Sequence, residues 1–239
     1  MNRTLLRFSI CVAVTTGALA GCGARTEIIE FHDGGTSIVS CDGGARSYAL
    51  EAVSLPFINA CDLPGAQQFM PNMDDPSTRM TMPFSFTLFA VRSSMLNVSN
   101  NGVVSLADRG VSFSNSCLSA SSTGSSVYAF WDDLYSRGRG VCSAVTGSAG
   151  SRSFVVTWDN MYFCCGNNDP SISVNVSLVL HECSNVIEIL YGRLDGGARA
   201  LGGEATVGLT GAAAADVVQS SCNAPVLRAN SAIRFVPRT

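Results

Sequence analysis

No lysine occurs anywhere in the 239-residue chain; all fifteen basic residues are arginines. Charge of either sign is scarce, at 14% of residues against about 25% in a typical soluble domain. The net charge is −3, so no basic surface recommends nucleic acid, and no acidic run marks a disordered tail. Only two histidines are present, His32 and His181. There is no CxxC pair, no GxSxG elbow and no glycine-rich phosphate loop leading into a helix. The usual marks of zinc, of a serine hydrolase and of a nucleotide site are therefore missing. No apolar run reaches the ~20 residues of a membrane-spanning helix, and no long stretch repeats at helical spacing.

What is present begins at the N-terminus. Arg3 and Arg7 precede a short apolar segment, Phe8 to Ala20, and LAGC (Leu19 to Cys22) closes it. Charged start, short apolar core and terminal cysteine together resemble a bacterial lipoprotein signal. The resemblance implies a signal peptide over residues 1–21 and lipidation of Cys22. Gly23 follows, where lipoproteins kept in the inner membrane usually carry Asp, so the outer membrane is expected, with the domain facing the periplasm or the cell surface. Several acyl chains anchor firmly at ~0.8 kcal/mol per buried methylene.

Beyond Cys22 eight cysteines remain: Cys41, Cys61, Cys117, Cys142, Cys164, Cys165, Cys183 and Cys222. An even count in an exported chain reads as disulfides. The rival is zinc held by His181, Cys183 and the Cys164–Cys165 pair. Residues 22–47 are polar and glycine-punctuated and read as a tether, with Cys41 to Cys61 the nearest bridge.

From residue 48 to 239, short apolar runs alternate with turn clusters. Phe84, Phe86 and Leu88 alternate with polar residues, as do Ile172, Val174, Val176, Leu178 and Leu180, the period of a half-buried strand. Asn100-Asn101-Gly102 between LNVS and VVSL has the residue types of a tight hairpin turn. SVYAFW, Val141 to Val145, SFVVTWDNMYF, VIEILY, ATVGL and AIRFV complete about ten strands. The expectation is an all-β, disulfide-rich antiparallel sandwich. If SFVVTWDNMYF and the Ile172 run form a hairpin, Cys183 lies ~36 Å from Cys164 and Cys165 at ~3.3 Å per residue. A disulfide spans at most ~7 Å between Cα atoms, so Cys183 is expected to bond neither. Cys142, placed after the Asp133 loop, is expected to bond one of them.

These pieces, in this order, resemble the nidogen extracellular (NIDO) type of domain. Its V-x-x-NG-x-x-x-F hairpin corresponds to Val98 through Leu106, with leucine at the aromatic position. Its FW-x-D strand end is Phe130 to Asp133, its V-x-W-x-x-V strand runs from Val156 to Met161, and its long F-x-V-x-L … Y hairpin follows. The resemblance implies an extracellular β-module and supplies no catalytic set.

Asp132 and Asp133 are the first candidates for chemistry. Neighbours on an extended chain point to opposite faces, which makes a glycosidase-like pair a poor fit. Two readings stay open: a strand end whose carboxylates accept turn N–H groups near Arg137 or Arg139, and a calcium site of Asp132, Asp133 and Asp159 with Asn160 nearby. Trp131 and Trp158 read as core rather than as a sugar platform, because Phe154, Val156 and Trp158 share one strand face. A Ser-His-Asp set would have to use His181, which the alternation turns outward. The polar loop CCGNNDP is a candidate contact surface. The whole reads as a non-catalytic surface adhesion or binding module, with a protein or polysaccharide ligand and no cofactor other than calcium. The alternatives are a secreted hydrolase with a carboxylate or metal site near Asp132, and a purely structural envelope protein.

Overall fold

The computed structural model describes residues 28–32, 35–39, 41, 47–107, 112–120, 122, 124–164 and 172–238. Cys22, where lipidation is expected, Cys165 and the rest of the CCGNNDP loop after Cys164 lie outside them. The chain divides into two units, Met1–Asp42 and Gly43–Thr239. In the first, β1 (Ile28–His32) and β2 (Gly35–Val39) pair antiparallel. The stretch read as a tether thus contains a hairpin, carried by the β-branched residues of IIEFH and GTSIV.

The second unit holds β3 (Ser47–Val53), β4 (Gln67–Phe69), β5 (Ser77–Leu88), β6 (Val91–Ser99), β7 (Val103–Ser105), β8 (Ser126–Trp131) and β9 (Leu134–Thr146). There follow β10 (Ser153–Phe163), β11 (Ser173–His181), β12 (Ile187–Asp195), β13 (Thr206–Thr210), β14 (Val217–Cys222) and β15 (Ser231–Arg238). They form two antiparallel sheets, one ordered β3-β15-β12-β11-β10-β9-β4 and one ordered β14-β13-β8-β7-β6-β5. The expected all-β antiparallel architecture is the one observed, with β3, β4 and β14 beyond the strands read from the sequence. β14, VVQSSC, has its two valines adjacent and carries little alternation to read.

The main core lies between the sheets. Phe86, Phe130, Trp158, Leu178, Tyr191 and Phe235 are among its fully buried side chains. Three aromatic side chains carry their polar ends across it. Trp158 Nε1 donates to the Ser99 carbonyl at 2.8 Å, Tyr191 OH to Ala129 at 3.0 Å, and Tyr48 OH to Thr87 at 3.1 Å. Burial raises the Tyr191 phenol well above its ordinary value, so it stays a donor.

The outer face of the seven-stranded sheet has its own smaller core. Cys142, Ala144, Val155, Val179, Leu190 and Ala232 point outward and are covered by Leu55, Phe57, Ile58, Ala60 and Leu63. This strap includes the single turn Ala60–Asp62. Its Ala60 amide donates to Thr157 Oγ1 at 2.8 Å, and Ile58 accepts from Ser177 Oγ.

The disulfides correct two expected pairings. Cys61 bonds Cys142, which replaces both Cys41–Cys61 and the link from Cys142 to Cys164 or Cys165. The reason is the length of β9. The glycines of SRGRG suggested a loop, yet β9 runs unbroken from Leu134, placing Cys142 mid-sheet opposite Thr157. Cys164 stays at the Leu134 end. Cys117 bonds Cys222, and Cys41, Cys164 and Cys183 are also disulfide-bonded. Loops of 81 and 105 residues are closed by the two assigned bridges, each restricting the unfolded chain by roughly 4–5 kcal/mol in the chain-entropy account.

The Asn100-Asn101-Gly102 turn joins β6 to β7 as expected, with Ser99 opposite Val103. Gly102 has φ +75°, and a Cβ there would lie 1.9 Å from the Phe130 carbonyl oxygen. Gly138 has a similar φ, +72°, but open space around it. Gly102→Ala is therefore expected to cost at least ~3 kcal/mol of unfolding free energy, against about 1 kcal/mol for Gly138→Ala. Urea titrations of the two variants measure the difference.

Candidate functional site

The corner formed by AFWDDL comes first. Asp132 is buried, 3% exposed. Arg199 grips it with both ends of its guanidinium, Nη2 to Oδ1 at 2.8 Å and Nε to Oδ2 at 3.1 Å. Arg199 also stacks over Phe163, 4.7 Å from the ring centre, and reaches Glu204. It belongs to the short helical turn Arg199–Gly203, so this pair clamps that turn to the strand corner. Asp132 Oδ1 also accepts the Asp133 amide at 2.7 Å, as the strand-end reading requires. The neighbouring arginines do not take part. Arg137 lies over the rings of Tyr135 and Tyr162, and Arg139 binds elsewhere.

Asp133 points away from its neighbour. Its Oδ1 is buried with no hydrogen-bond partner. Burial first, then Asp75, Asp74 and Asp132, hold its carboxyl above the ordinary range. Asp74, Asp133 and the Cys164 sulfur lie within 4.8 Å of one another. That sulfur is disulfide-bonded and offers no thiolate, which leaves two carboxylates.

The corner is braced by the hairpin turn. Asn101 accepts the Leu134 amide at 2.7 Å and donates to Asp75 at 2.7 Å. Asn100 donates to the Leu134 carbonyl at 3.0 Å.

Asp159 stands apart from both aspartates, opposite Gly140, while Leu134 pairs with Phe163 four residues further along β10. Its Oδ1 accepts from Asn59 at 2.8 Å and Asn175 at 3.0 Å, and its Oδ2 accepts from Arg139 Nε at 2.9 Å. Arg139 is shared with Asp62 of the strap. The three aspartates considered for calcium therefore do not share one site.

Around Asp159 the sheet does something the sequence did not announce. Pairing registers shift between Asp159 and Met161 against β9, between Trp158 and Met161 against β11, and between Val174 and Val176 against β12. β10 sets Asp159 and Asn160 against the single Asn175, and β12 sets Gly192 and Arg193 against the same residue. β9 sets Arg137, Gly138 and Arg139 against Asn160. These bulges fall in one row across four strands. Asn160 adopts φ +54°, a conformation asparagine tolerates better than most residues. The row opens a polar groove of about 560 Å³, lined in part by Arg139, Asp159, Asn160, Asn175, Arg193 and Asn230. Phe57 of the strap forms one wall; a Cβ at Gly192 would meet its ring at 3.0 Å.

His181 is half-buried on the outer face. Its Nδ1 lies 3.0 Å from Ser153 Oγ and its Nε2 3.0 Å from Glu188 Oε2. The order resembles a nucleophilic triad, but Ser153 sits inside a strand paired on both sides, opposite Thr146 and His181. Glu188 is also held by Arg234, with Nη2 at 2.7 Å. The hydrogen bond from His181, aided by Arg234, keeps the Glu188 carboxyl below the usual range. Glu182, bonded by Arg152, is lowered likewise.

Two sheets packed face to face, with cysteines paired within the unit, define an exported-type, disulfide-braced β-sandwich. Comparison with protein-family models goes further: residues 47–239 match the family described as NIDO related, and the chain belongs to that family. No curated protein and no solved structure matches it.

Two expectations follow. Asp132→Ala strands the Arg199 charge in a half-buried site and should cost roughly 2 kcal/mol or more. Asp133→Asn relieves a strained carboxylate and should leave the melting temperature at pH 7 equal or higher. Acidification removes that advantage as the wild-type carboxyl takes up its proton; a fall of several degrees at pH 7 would contradict the account. Melts in millimolar calcium and in chelator should superimpose, since a bound ion would raise Tm.

Glu182 and Glu188 behave in the opposite sense. Their ionised forms favour the fold, so their contribution is complete above the ordinary glutamate value of about 4.3. It is lost as pH falls through their lower folded values. Glu188→Gln should therefore flatten the acid limb of a stability–pH curve, which denaturant titration from pH 6 to 2 measures.

Proposed function

We propose that the chain is a lipid-anchored, non-catalytic binding module of the outer membrane, whose recognition surface is the bulged face of its larger sheet. One observation carries the reading. Four adjacent strands break register at the same level and set polar side chains in a row on a rigid face. Bulges are over-represented where a sheet re-aims side chains toward a ligand, and sites on strands hold their geometry better than sites on loops. Family membership and the paired cysteines support an exported location. The lipobox-like LAGC and Cys22 support the anchor.

The non-catalytic element rests on the state of the acidic groups. An acid–base catalyst needs a carboxyl free to exchange its proton with substrate. Asp132 and Asp159 are each clamped by an arginine and further donors, and Glu188 is shared between His181 and Arg234; Asp133, whose Oδ1 has no partner, is the exception, and it lies against Asp74 and a disulfide sulfur.

Two measurements test this. Cys22→Ser should move the protein from the membrane fraction to the soluble fraction; continued membrane association would overturn the anchor. The full chain reconstituted in liposomes should co-sediment with bacterial envelope material, and that material should remain chemically unchanged. Absence of co-sedimentation would overturn the binding reading. New reducing ends or new amines released during the incubation would overturn the non-catalytic one.

A further inference from the structure

Resting on the binding-module reading, we propose that the groove between the strap and the bulge row is a binding site for a neutral carbohydrate, with the Asn175, Asn160 and Asn230 carboxamides and the Arg193 guanidinium as its hydrogen-bonding floor and Phe57 as its apolar wall.

The first argument is chemical. A sugar hydroxyl donates one hydrogen bond and accepts others. A carboxamide answers it in both senses without a charge, with one acceptor oxygen and two donor hydrogens. Three asparagines line this one groove. Asn175 spends its amide on Asp159, which orients its carbonyl oxygen as an acceptor. Asn160 is fixed from two sides: its amide donates to Tyr162 OH at 3.1 Å, and its oxygen accepts from Ser173 Oγ at 3.0 Å and from Arg193 Nη2, which leaves its second amide hydrogen for a ligand. The exposed Asn230 is held through its backbone, whose amide donates to the Gly192 carbonyl at 3.3 Å.

Charge decides against an anionic ligand. Arg139 already lies between Asp62 and Asp159, and Arg193 pairs with Asp195 at 3.5 Å. The two arginines that line the groove are thus paired with three carboxylates, Asp159 in the lining and Asp62 and Asp195 beyond it, which leaves no unpaired cation to attract a phosphate, sulfate or uronate. A cationic ligand fares no better, because each carboxylate is already engaged by an arginine.

Size suits a sugar. The volume of about 560 Å³ falls inside the usual 300–1,000 Å³ of small-molecule sites. A stable protein interface buries about 800 Å² on each partner and centres on large aromatic or arginine anchors in desolvated pockets. Here one aromatic residue lines the groove, and both arginines that line it are already held in ion pairs. One face of a sugar ring is apolar through its C–H groups, and a single phenyl ring beside hydrogen-bonding groups suits it.

Preorganisation is the last argument. The buried Asp159, 7% exposed, ties β9, β10, β11 and the strap together through Arg139, Asn175 and Asn59. The floor and the wall are therefore positioned before any ligand arrives, which lowers the ordering cost of binding.

The test is native affinity electrophoresis of the full chain in detergent. Gels contain dextran, mannan, galactan or xylan in turn, with alginate and dextran sulfate as anionic controls. At least one neutral polymer should retard the protein. Asn175→Ala should weaken that retardation tenfold or more and Asn230→Gly several-fold, the latter with melting close to wild type because its side chain is exposed and glycine accepts the φ of +57° at that position. The proposal is overturned by no retardation in any neutral polymer, by retardation in the anionic polymers alone, or by retardation unchanged in both variants. Co-sedimentation with envelope material that survives polysaccharide competition but is abolished by protease treatment of that material would point to a protein ligand. That result would sink the carbohydrate assignment while leaving the binding-module reading intact.

Discussion

The outer face of a seven-stranded sheet must be either polar or covered, and here a single strap makes the difference. Leu55 through Leu63 crosses that face, and the Cys61–Cys142 bridge fastens it to β9. Without it, Val155, Val179 and Leu190 would meet water. At roughly 25 cal/mol per Å², three such side chains represent several kcal/mol of lost burial. The strap's other contacts follow from that anchorage. Asn59 reaches Asp159, Asp62 reaches Arg139, and Phe57 lies on Gly192. Where the strap ends, the bulged row begins, so one covalent constraint both completes a core and shapes the edge of a groove.

The inter-sheet core is organised by a second principle, economy of polar groups. Trp158, Tyr191 and Tyr48 each place a donor on a backbone carbonyl of the opposing sheet. Buried donors of this kind would be costly unpaired. Paired, they fix the relative position of the two sheets in a way that apolar contact alone does not. The same economy appears at the AFWDDL corner. Asp132 is matched by Arg199, and the Asn100–Asn101 turn satisfies the Leu134 backbone. Two short motifs some thirty residues apart, NNG and FW-x-D, therefore form one structural unit. Their joint order carries more information than either alone because each completes the other's hydrogen bonds.

Much of this fold was legible in the sequence, for identifiable reasons. β10, β11 and the β6–β7 hairpin alternate strongly or carry turn residues with a definite role, and burial of Trp158 followed from its strand face. β9 was half missed because Gly138 and Gly140, both at positive φ, read as a loop when they serve a bulge. The disulfide error was a direct consequence, since it placed Cys142 at the wrong end of its strand. Arg199 was out of reach: it meets Asp132 across 67 positions, and nothing local marks it. The groove was harder still. Asn160, Asn175 and Arg193 share a face only because three register shifts coincide, and register belongs to pairs of strands rather than to any one of them.

The distribution of charge connects these observations to function. With so few ionisable residues, nearly every carboxylate near the sheet face has a structural task, and the arginines that hold them have little else to offer a ligand's charge. Asp133 is the exception at the corner, raised by burial and by its acidic neighbours, yet it lies away from the groove and beside a sulfur already in a disulfide. On the binding-module reading, ligand contacts then fall to uncharged groups, with Arg193 as a paired hydrogen-bond donor among them. The asparagines of the bulge row are where such groups are most densely arrayed, and Asp159, held by Asn59 and Arg139, fixes Asn175 among them. A carboxylate that first looked like a ligand for a metal acts instead as the fixed point from which a neutral surface is built.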